Sequence, residues 1–168
     1  MSHPLILGIF ETSADAASAA RGLRILGVSQ QNVSIVARSH EEEGALAEVA
    51  DASPGSELED SRAAARLGEL SAHLLAAVAL MMPGIGPIVA DGPLAAGLGE
   101  VAGHFGGGIA RTLERAGLER SRAENWESRV ERGAILVGAH VDPSRVAAVR
   151  QRLVDTGSLE VADLTWPK

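Results

Sequence analysis

The first 38 residues show an apolar run, then a helical pattern, then a second apolar run. Residues 5–10 are apolar or glycine over the length of a strand, and residues 33–37 repeat that character. Between them, Thr12 with Asp15 three residues later is a short-acid form of the capping box that begins helices. Apolar residues then recur at helical spacing up to a glycine that ends the helix, namely Ala16, Ala19, Ala20, Leu23, Leu26 and Gly27. Residues 1–38 are therefore predicted to form a β-α-β unit, the first half of a domain.

The last 50 residues repeat this pattern. Ser121 with Glu124 is a full capping box, and the stripe of the helix that it begins is Ala123, Trp126 and Val130, up to Gly133. Residues 134–141 are strand-like, and Asp142-Pro143 is a strong helix start. That second helix ends at Gly157, before a final strand over 159–164. Residues 119–168 are therefore predicted to form the second half of the domain: helix, strand, helix, strand.

The segment between the two halves has a different character. Residues 39–66 hold eight Asp or Glu against two Arg and are predicted to be an acidic linker. Residues 67–118 are rich in Ala and Gly, with two apolar stripes on either side of a Pro/Gly segment at 83–93. The stripes are Leu67, Leu70, Leu74, Val78 and Met81, and then Leu98, Val101, Phe105, Ile109 and Leu113. They predict an antiparallel helical hairpin, in which Gly99, Gly103 and Gly107 form a glycine zipper that permits close helix packing.

Together these elements predict an α+β protein. The order is β-α-β, insertion, β-α-β, which is typical of a ferredoxin-like antiparallel sheet with two helices on one face. The insertion would be the Ala/Gly-rich helical hairpin. The 168 residues are enough to bury a sizeable core.

Composition excludes several classes of function. Hydrophobic residues make up 46% of the chain, which excludes a disordered acidic tail. A net charge of −7 argues against nucleic-acid binding through phosphates, so we expect no nucleic-acid partner. Cysteine is absent, which excludes disulfides, thiolate nucleophiles and Cys-ligated zinc.

The longest uncharged stretch, residues 70–90, is interrupted by proline and glycine at 83–87. Each arm is then shorter than the roughly 20 residues of a membrane-spanning helix. The chain also has no positively charged, signal-like N-terminal region. We therefore expect a cytoplasmic protein, with partial insertion of the hairpin into a membrane surface as an open alternative.

Three stretches carry a resemblance to a known family. They are LILGIFETSADAASAARGLRILGVSQQNVSIVAR (5–38), PGIGPIVADGPLAAGLG (83–99) and ENWESRVERGAILVGAHVD (124–142). In these stretches the chain resembles the bacterial general stress (heat-induced stress) protein family of small, mostly uncharacterised domains. The resemblance implies a link to stress responses and a glycine-rich hairpin, and it supplies no catalytic residues. The chain departs from the family pattern in having Glu and His in the hairpin arms, where members usually have Ala, Gly or Leu.

These Glu and His residues form a candidate metal site. Glu69 and His73 are four residues apart on the first arm, and Glu100 and His104 are four apart on the second. In an antiparallel helical hairpin centred on residues 86–87, Glu69 would lie level with His104, and His73 with Glu100. Two carboxylates and two imidazoles between helices suit Fe, Mn or Zn, although the usual bundle motif has Glu and His three residues apart. The alternative is a solvated polar face or a polar seam between two subunits.

The remaining motifs indicate little chemistry. His40 and the three glutamates after it are interpreted as a solvated acidic loop, and His140 as a partly buried strand residue rather than a catalytic base. Residues 106–108 are three glycines without the Lys and Ser/Thr of a phosphate-binding loop. Since no Ser-His-Asp arrangement with a nucleophile elbow is present, we do not expect an enzyme.

Two principal functions follow. The first is a non-enzymatic stress-associated protein that forms homo-oligomers, with a dimer favoured, through its helical hairpin. The alternative is a metal-binding protein, of the di-iron type or related, that uses Glu69, His73, Glu100 and His104.

Overall fold

The computed structural model describes residues 3–38, 78–82, 86–102 and 108–166. The strands are β1 (His3–Phe10), β2 (Val33–Arg38), β3 (Val78–Met82), β4 (Gly86–Asp91), β5 (Ile135–His140) and β6 (Glu160–Trp166). The helices are α1 (Ser13–Ile25), α2 (Pro93–Ala102), α3 (Ile109–Arg115), α4 (Arg120–Glu131) and α5 (Val146–Asp155). Two 3-10 turns, Gln30–Asn32 and Pro143–Arg145, precede β2 and α5. The protein is therefore α+β, as the sequence predicts.

The described strands form one sheet in the order β3-β4-β2-β5-β1-β6, and every neighbouring pair is antiparallel. β5 lies between β1 and β2, with Leu5 opposite His140 and Val33 opposite Ala139. On the other side of β1, His3 is opposite Trp166 of β6. The starts of β1 and β2 and the ends of β5 and β6 therefore meet at one end of the sheet.

Helices cover both faces of this sheet. On β1, Leu5, Leu7 and Ile9 belong to one core, whereas Ile6 and Phe10 belong to the other, as the alternation of side chains along a strand requires. Buried residues of α2, α3 and α4 complete the first core, and those of α1 and α5 complete the second. Both faces of β1 are buried, so neither face favours polar side chains. This explains why residues 5–10 are continuously apolar.

The ends of α1 are those that the sequence predicts. Thr12 Oγ1 accepts a hydrogen bond from the Asp15 backbone N–H at 3.1 Å. Gly27 has a φ of +78°, a conformation in which a Cβ is strained, and it follows the last residues of the helix.

The sequence predicts Ser121 as the N-cap of α4, and this prediction is wrong, because the helix begins two residues earlier. The N-cap is Glu119, whose carboxylate accepts hydrogen bonds from the backbone N–H groups of Ser121 and Arg122. Ser121 therefore lies inside the helix rather than before it. A carboxylate at this position also interacts favourably with the positive end of the helix dipole.

The helical hairpin predicted over 67–118 is corrected by the structure of residues 78–91. Val78–Met82 was predicted as helix and Gly86–Asp91 as loop, and both are strands that pair with one another. β4 also pairs with β2, which buries Ile88 and Ala90 in the core. Two short apolar runs separated by proline and glycine are a hairpin signal, and the pairing of β3 with β4 and of β4 with β2 satisfies backbone groups of both runs. The second arm is helical in α2 and α3.

Gly92 makes the turn from β4 into α2. Its φ is +80°, and a Cβ there would collide with the Val33 carbonyl oxygen of β2. Next to it, the buried Ser34 Oγ accepts a hydrogen bond from the Leu94 backbone N–H at 3.1 Å. This contact holds the start of α2 on the sheet, with Leu94 and Leu98 in the core.

The linker prediction for 39–66 and the first part of the predicted hairpin, 67–77, lie outside the described residues. Of the helices in the described ranges, none combines the length and the apolar character that crossing a membrane requires.

Candidate functional site

The structure does not bring the predicted metal ligands together. Glu69, His73 and His104 lie outside the described residues, and Glu100 is in α2, where its side chain is not described. The predicted hairpin would have placed each Glu opposite a His of the other helix. That geometry is not formed, because residues 86–87, the centre of the predicted helical hairpin, begin β4. Within the described part of the chain, no three His, Asp or Glu side chains are close enough to hold an ion. Metal binding by these residues stays a prediction.

A cleft of about 420 Å³ opens at the end of the sheet where β1 and β2 begin and β5 ends. Its lining residues come from the start of β1, the turn between α1 and β2, and the segment that joins β5 to α5. They are His3, Gly27, Val28, Ser29, Asn32, His140, Val141, Asp142 and Arg145. The volume lies within the range of small-molecule sites, about 300–1,000 Å³.

The half-buried side chain of His140 forms part of the wall of this cleft. Its Nε2 is enclosed and has no hydrogen-bond partner. Its ring meets the Trp166 ring edge-on, with 5.6 Å between the centroids and 85° between the planes. Burial lowers the pKa of His140 from its usual 6.5, and the charge of His3 lowers it further. The imidazole is therefore neutral at pH 7, and the interpretation of His140 as a partly buried strand residue is confirmed.

Trp166 lies between His140 and α2. A Cβ on Gly97 would lie 2.6 Å from Cη2 of the Trp166 ring, so the ring can lie against α2 only because residue 97 is glycine. Trp166 thus contacts His140 on one side and α2 on the other. The orientation of the His140 ring depends on this packing.

Arg145 is fixed against the end of α1. Its Nη1 donates hydrogen bonds to the carbonyl oxygens of Leu26 at 3.3 Å and Gly27 at 3.1 Å. These carbonyls lie at the C-terminal end of the helix, where they lack partners within the helix and where a cation is favoured. Nε and Nη2 of Arg145 make no hydrogen bond to another described residue. One bidentate edge of the guanidinium therefore stays open.

The other polar side chains of the cleft are not used by the local fold. Asp142 and Ser29 are N-cap residues of the two 3-10 turns, yet neither side chain makes a capping hydrogen bond. Asp142 and Arg145 line the same cleft, but among the described ion pairs none joins them. A negative and a positive group thus lie separately in one small cleft.

Sequence reasoning missed this site. His140 and Asp142 were considered only as a strand histidine and as a helix start, and His3, Ser29, Asn32 and Arg145 were not considered. Their proximity depends on the pairing of β5 between β1 and β2, which brings residue 3 close to residue 140. Each of the three segments ends in polar residues next to a strand boundary, and this was the available signal.

No protein-family model, no curated protein and no solved structure matches the chain. The resemblance to the general stress family therefore stays a prediction that depends on residues 5–38, 83–99 and 124–142. The chemistry of the cleft is the observation that bears most directly on function.

Proposed function

We propose that the protein is a non-enzymatic, stress-associated binding protein that holds a small polar ligand in the cleft at the end of its sheet. One observation carries this proposal. The open guanidinium edge of Arg145 and the carboxylate of Asp142, which forms no described ion pair, line the same cleft as the half-buried His140. A concave site with a few converging polar groups is the usual form of a small-ligand site.

Binding is favoured over catalysis by the surroundings of the imidazole. A histidine that acts as a general base is normally oriented by a carboxylate or a carbonyl. His140 instead contacts the Trp166 ring, and the pKa of its imidazole is lowered by burial rather than raised by a carboxylate. These contacts support a rigid wall for a ligand.

The finer fold assignment belongs to the same proposal. We infer that β2-β5-β1-β6, with α1 and α5, is a ferredoxin-like unit, and that β3, β4, α2 and α3 are additions to it. The support is that β5 lies between β1 and β2 and that both α1 and α5 pack against one core. In such a unit the cleft lies at one end of the sheet, next to both connecting helices.

Thermal-shift measurements with a panel of polar compounds test the binding function. The panel contains carboxylates, amines, amino acids, monosaccharides and nucleosides at millimolar concentration. We expect at least one class to raise the Tm of the natural chain and not that of the Asn32→Ala variant, since binding to the folded state stabilises it. Asn125→Ala, an exposed position on α4 outside the cleft, is the matched control and should respond like the natural chain. The proposal would be contradicted if no class raised the Tm of the natural chain. It would also be contradicted if Asn32→Ala and Asp142→Asn showed the same rise in Tm as the natural chain.

A further inference from the structure

We propose that the cleft recognises the zwitterionic head of a free α-amino acid, with the carboxylate against Arg145 and the ammonium group against Asp142. This inference rests on the proposed function, because it names the class of ligand for the same cleft.

The carboxylate side is defined by Arg145. Hydrogen bonds from Nη1 to the Leu26 and Gly27 carbonyls fix the guanidinium, so little side-chain freedom is lost when a ligand binds. The Nε and Nη2 donors have no partner among the described residues, and this edge matches the two oxygens of a carboxylate. Arg145 therefore offers a positioned bidentate contact rather than a mobile surface charge.

His140 borders the cleft from the other face of the sheet. Leu136 of β5, and Leu5 opposite His140, belong to the core under α2, so the His140 side chain lies on that face with Trp166, whereas Arg145 lies against the end of α1. The ligand carboxylate is therefore assigned to Arg145 alone.

The ammonium side is defined by Asp142. Its carboxylate is exposed, makes no cap hydrogen bond and forms no ion pair within the described residues. It lines the same cleft as the Arg145 guanidinium that would hold the carboxylate. A simple anion would lie near this negative charge without compensation, whereas an amino acid places an ammonium group next to its own carboxylate. The separated charges of Asp142 and Arg145 thus favour a zwitterion over either ion alone.

Calorimetry with matched ligands tests the inference. The twenty common L-amino acids are first ranked by thermal shift on the full chain. The best of them is then compared by isothermal titration calorimetry with its deaminated acid and its decarboxylated amine. We expect the amino acid to bind at least roughly tenfold more tightly than either analogue, since each analogue loses one charged contact.

Two variants separate the roles of the two charges. Asp142→Asn should lose roughly tenfold in affinity for the amino acid and nothing for the deaminated acid, whereas Arg145→Lys should weaken both, because it lacks the bidentate edge. Asp155→Asn and Arg150→Lys, on α5 away from the cleft, are the matched controls and should bind like the natural chain. Equal affinity for the amino acid and its deaminated acid, or unchanged binding in Asp142→Asn, overturns the inference. Binding of another polar class in place of amino acids overturns it and leaves the proposed function standing, whereas binding of no class overturns both.

Discussion

At the scale of single residues, two partly buried polar side chains differ in whether they have hydrogen-bond partners. Glu160 accepts hydrogen bonds from Trp126 Nε1 at 2.9 Å and from Arg122 Nε at 2.7 Å. His140 is half-buried with an enclosed nitrogen that has no partner. The hydrogen bonds to Glu160 stabilise the fold, whereas the unpartnered nitrogen of His140 costs stability.

The lowered pKa of His140 predicts a loss of stability on acidification. Because the folded pKa lies below the unfolded value of 6.5, the unfolded chain takes up the proton first as the pH falls. The stability from keeping His140 neutral is complete above pH 6.5 and decreases as the pH falls from there to the folded pKa. Urea unfolding of the natural chain and of His140→Phe between pH 7.5 and 5 measures this effect.

We expect a smaller pH dependence in His140→Phe across that window. His3→Asn is the intermediate case, since removal of the His3 charge lets the folded pKa of His140 rise toward 6.5 and narrows the window. Identical slopes in all three proteins would show that His140 does not titrate as the structure requires.

Glu160 predicts a second pH effect at lower pH. Burial acts to raise the pKa of Glu160, but hydrogen bonds from Trp126 and Arg122 and the charges of Arg122 and Arg129 outweigh it, so the pKa is lowered from 4.5. The stability that Glu160 contributes is complete above pH 4.5 and is lost as the pH falls toward its folded pKa. Glu160→Gln should lower the free energy of unfolding at pH 7 by about 1 kcal/mol and flatten its fall below pH 4.5.

The control for Glu160 is Glu124→Gln on the exposed face of α4, where the only described ion pair is a 3.9 Å contact with Arg120. We expect that change to be within about 0.5 kcal/mol. Chemical denaturation at several pH values measures both variants. An equal effect of the two substitutions would contradict the role assigned to Glu160.

At the scale of elements, the starts of two helices are capped from a different element. Ser34 of β2 accepts from the Leu94 N–H of α2, and the Glu127 carboxylate of α4 accepts from the Ala110 N–H of α3 at 2.8 Å. The first bond joins residues 60 positions apart, and the second joins the consecutive helices α3 and α4. They satisfy N–H groups that a helix leaves open at its start.

Removal of the Ser34 cap should destabilise the attachment of α2 to the sheet. In Ser34→Ala the buried Leu94 N–H loses its partner, and we expect the free energy of unfolding to fall by about 1–3 kcal/mol. Ser18→Ala is the matched control, because Ser18 Oγ accepts only from the exposed Arg21 side chain and its loss should cost less than about 0.5 kcal/mol. Guanidinium denaturation compares the two. Equal midpoints would show that the Ser34 contact does not hold α2.

The sequence predicts the elements whose ends carry their own signals. Thr12 and Gly27 bound α1 by local hydrogen bonding and backbone conformation, and Gly157, with a φ of +93°, follows α5 in the same way. β3 and β4 were missed because a five- or six-residue apolar run fits a helix and a strand equally well, and the pairing of β3 with β4 and of β4 with β2 decides between them. Glu119 was missed as a cap because Ser121 offered a more familiar motif.

At the scale of the whole molecule, the sheet has helices on both faces, and the cleft lies at one end of the sheet. Its residues come from positions 3 to 145, and the pairing of β5 with both β1 and β2 brings them together. No local pattern encodes such a pairing, so the site could not be predicted from the sequence although most elements around it could. The acidity is also local, because residues 39–66, with eight acids and two Arg, account for −6 of the net charge of −7.

Self-association and metal binding stay predictions at this scale. We expect light scattering to give twice the mass of one chain, because β3 is an outer strand of the described sheet and an outer strand can pair with a second copy. A monomeric mass would contradict this prediction.

Metal binding is measured separately by calorimetry on chelator-stripped protein with Fe(II), Mn(II) and Zn(II). If Glu69, His73, Glu100 and His104 hold an ion, the double variant His73→Ala with His104→Ala should bind less of it than the natural chain. His40→Ala is the control. Unchanged binding in the double variant would contradict the metal site.

The contact between Trp166 and His140 gives the cleft an optical reporter of its own. The chain has two tryptophans, and they differ in surroundings: Trp126 is fully buried and bonded to Glu160, whereas Trp166 is half-buried beside the imidazole that lines the cleft. In a Trp126→Phe background, the remaining indole emission would come from Trp166 alone, next to the histidine that lines the cleft. Occupancy of the cleft and the charge state of its histidine would then be visible in the unlabelled protein, as a change in the colour and intensity of light from a single side chain.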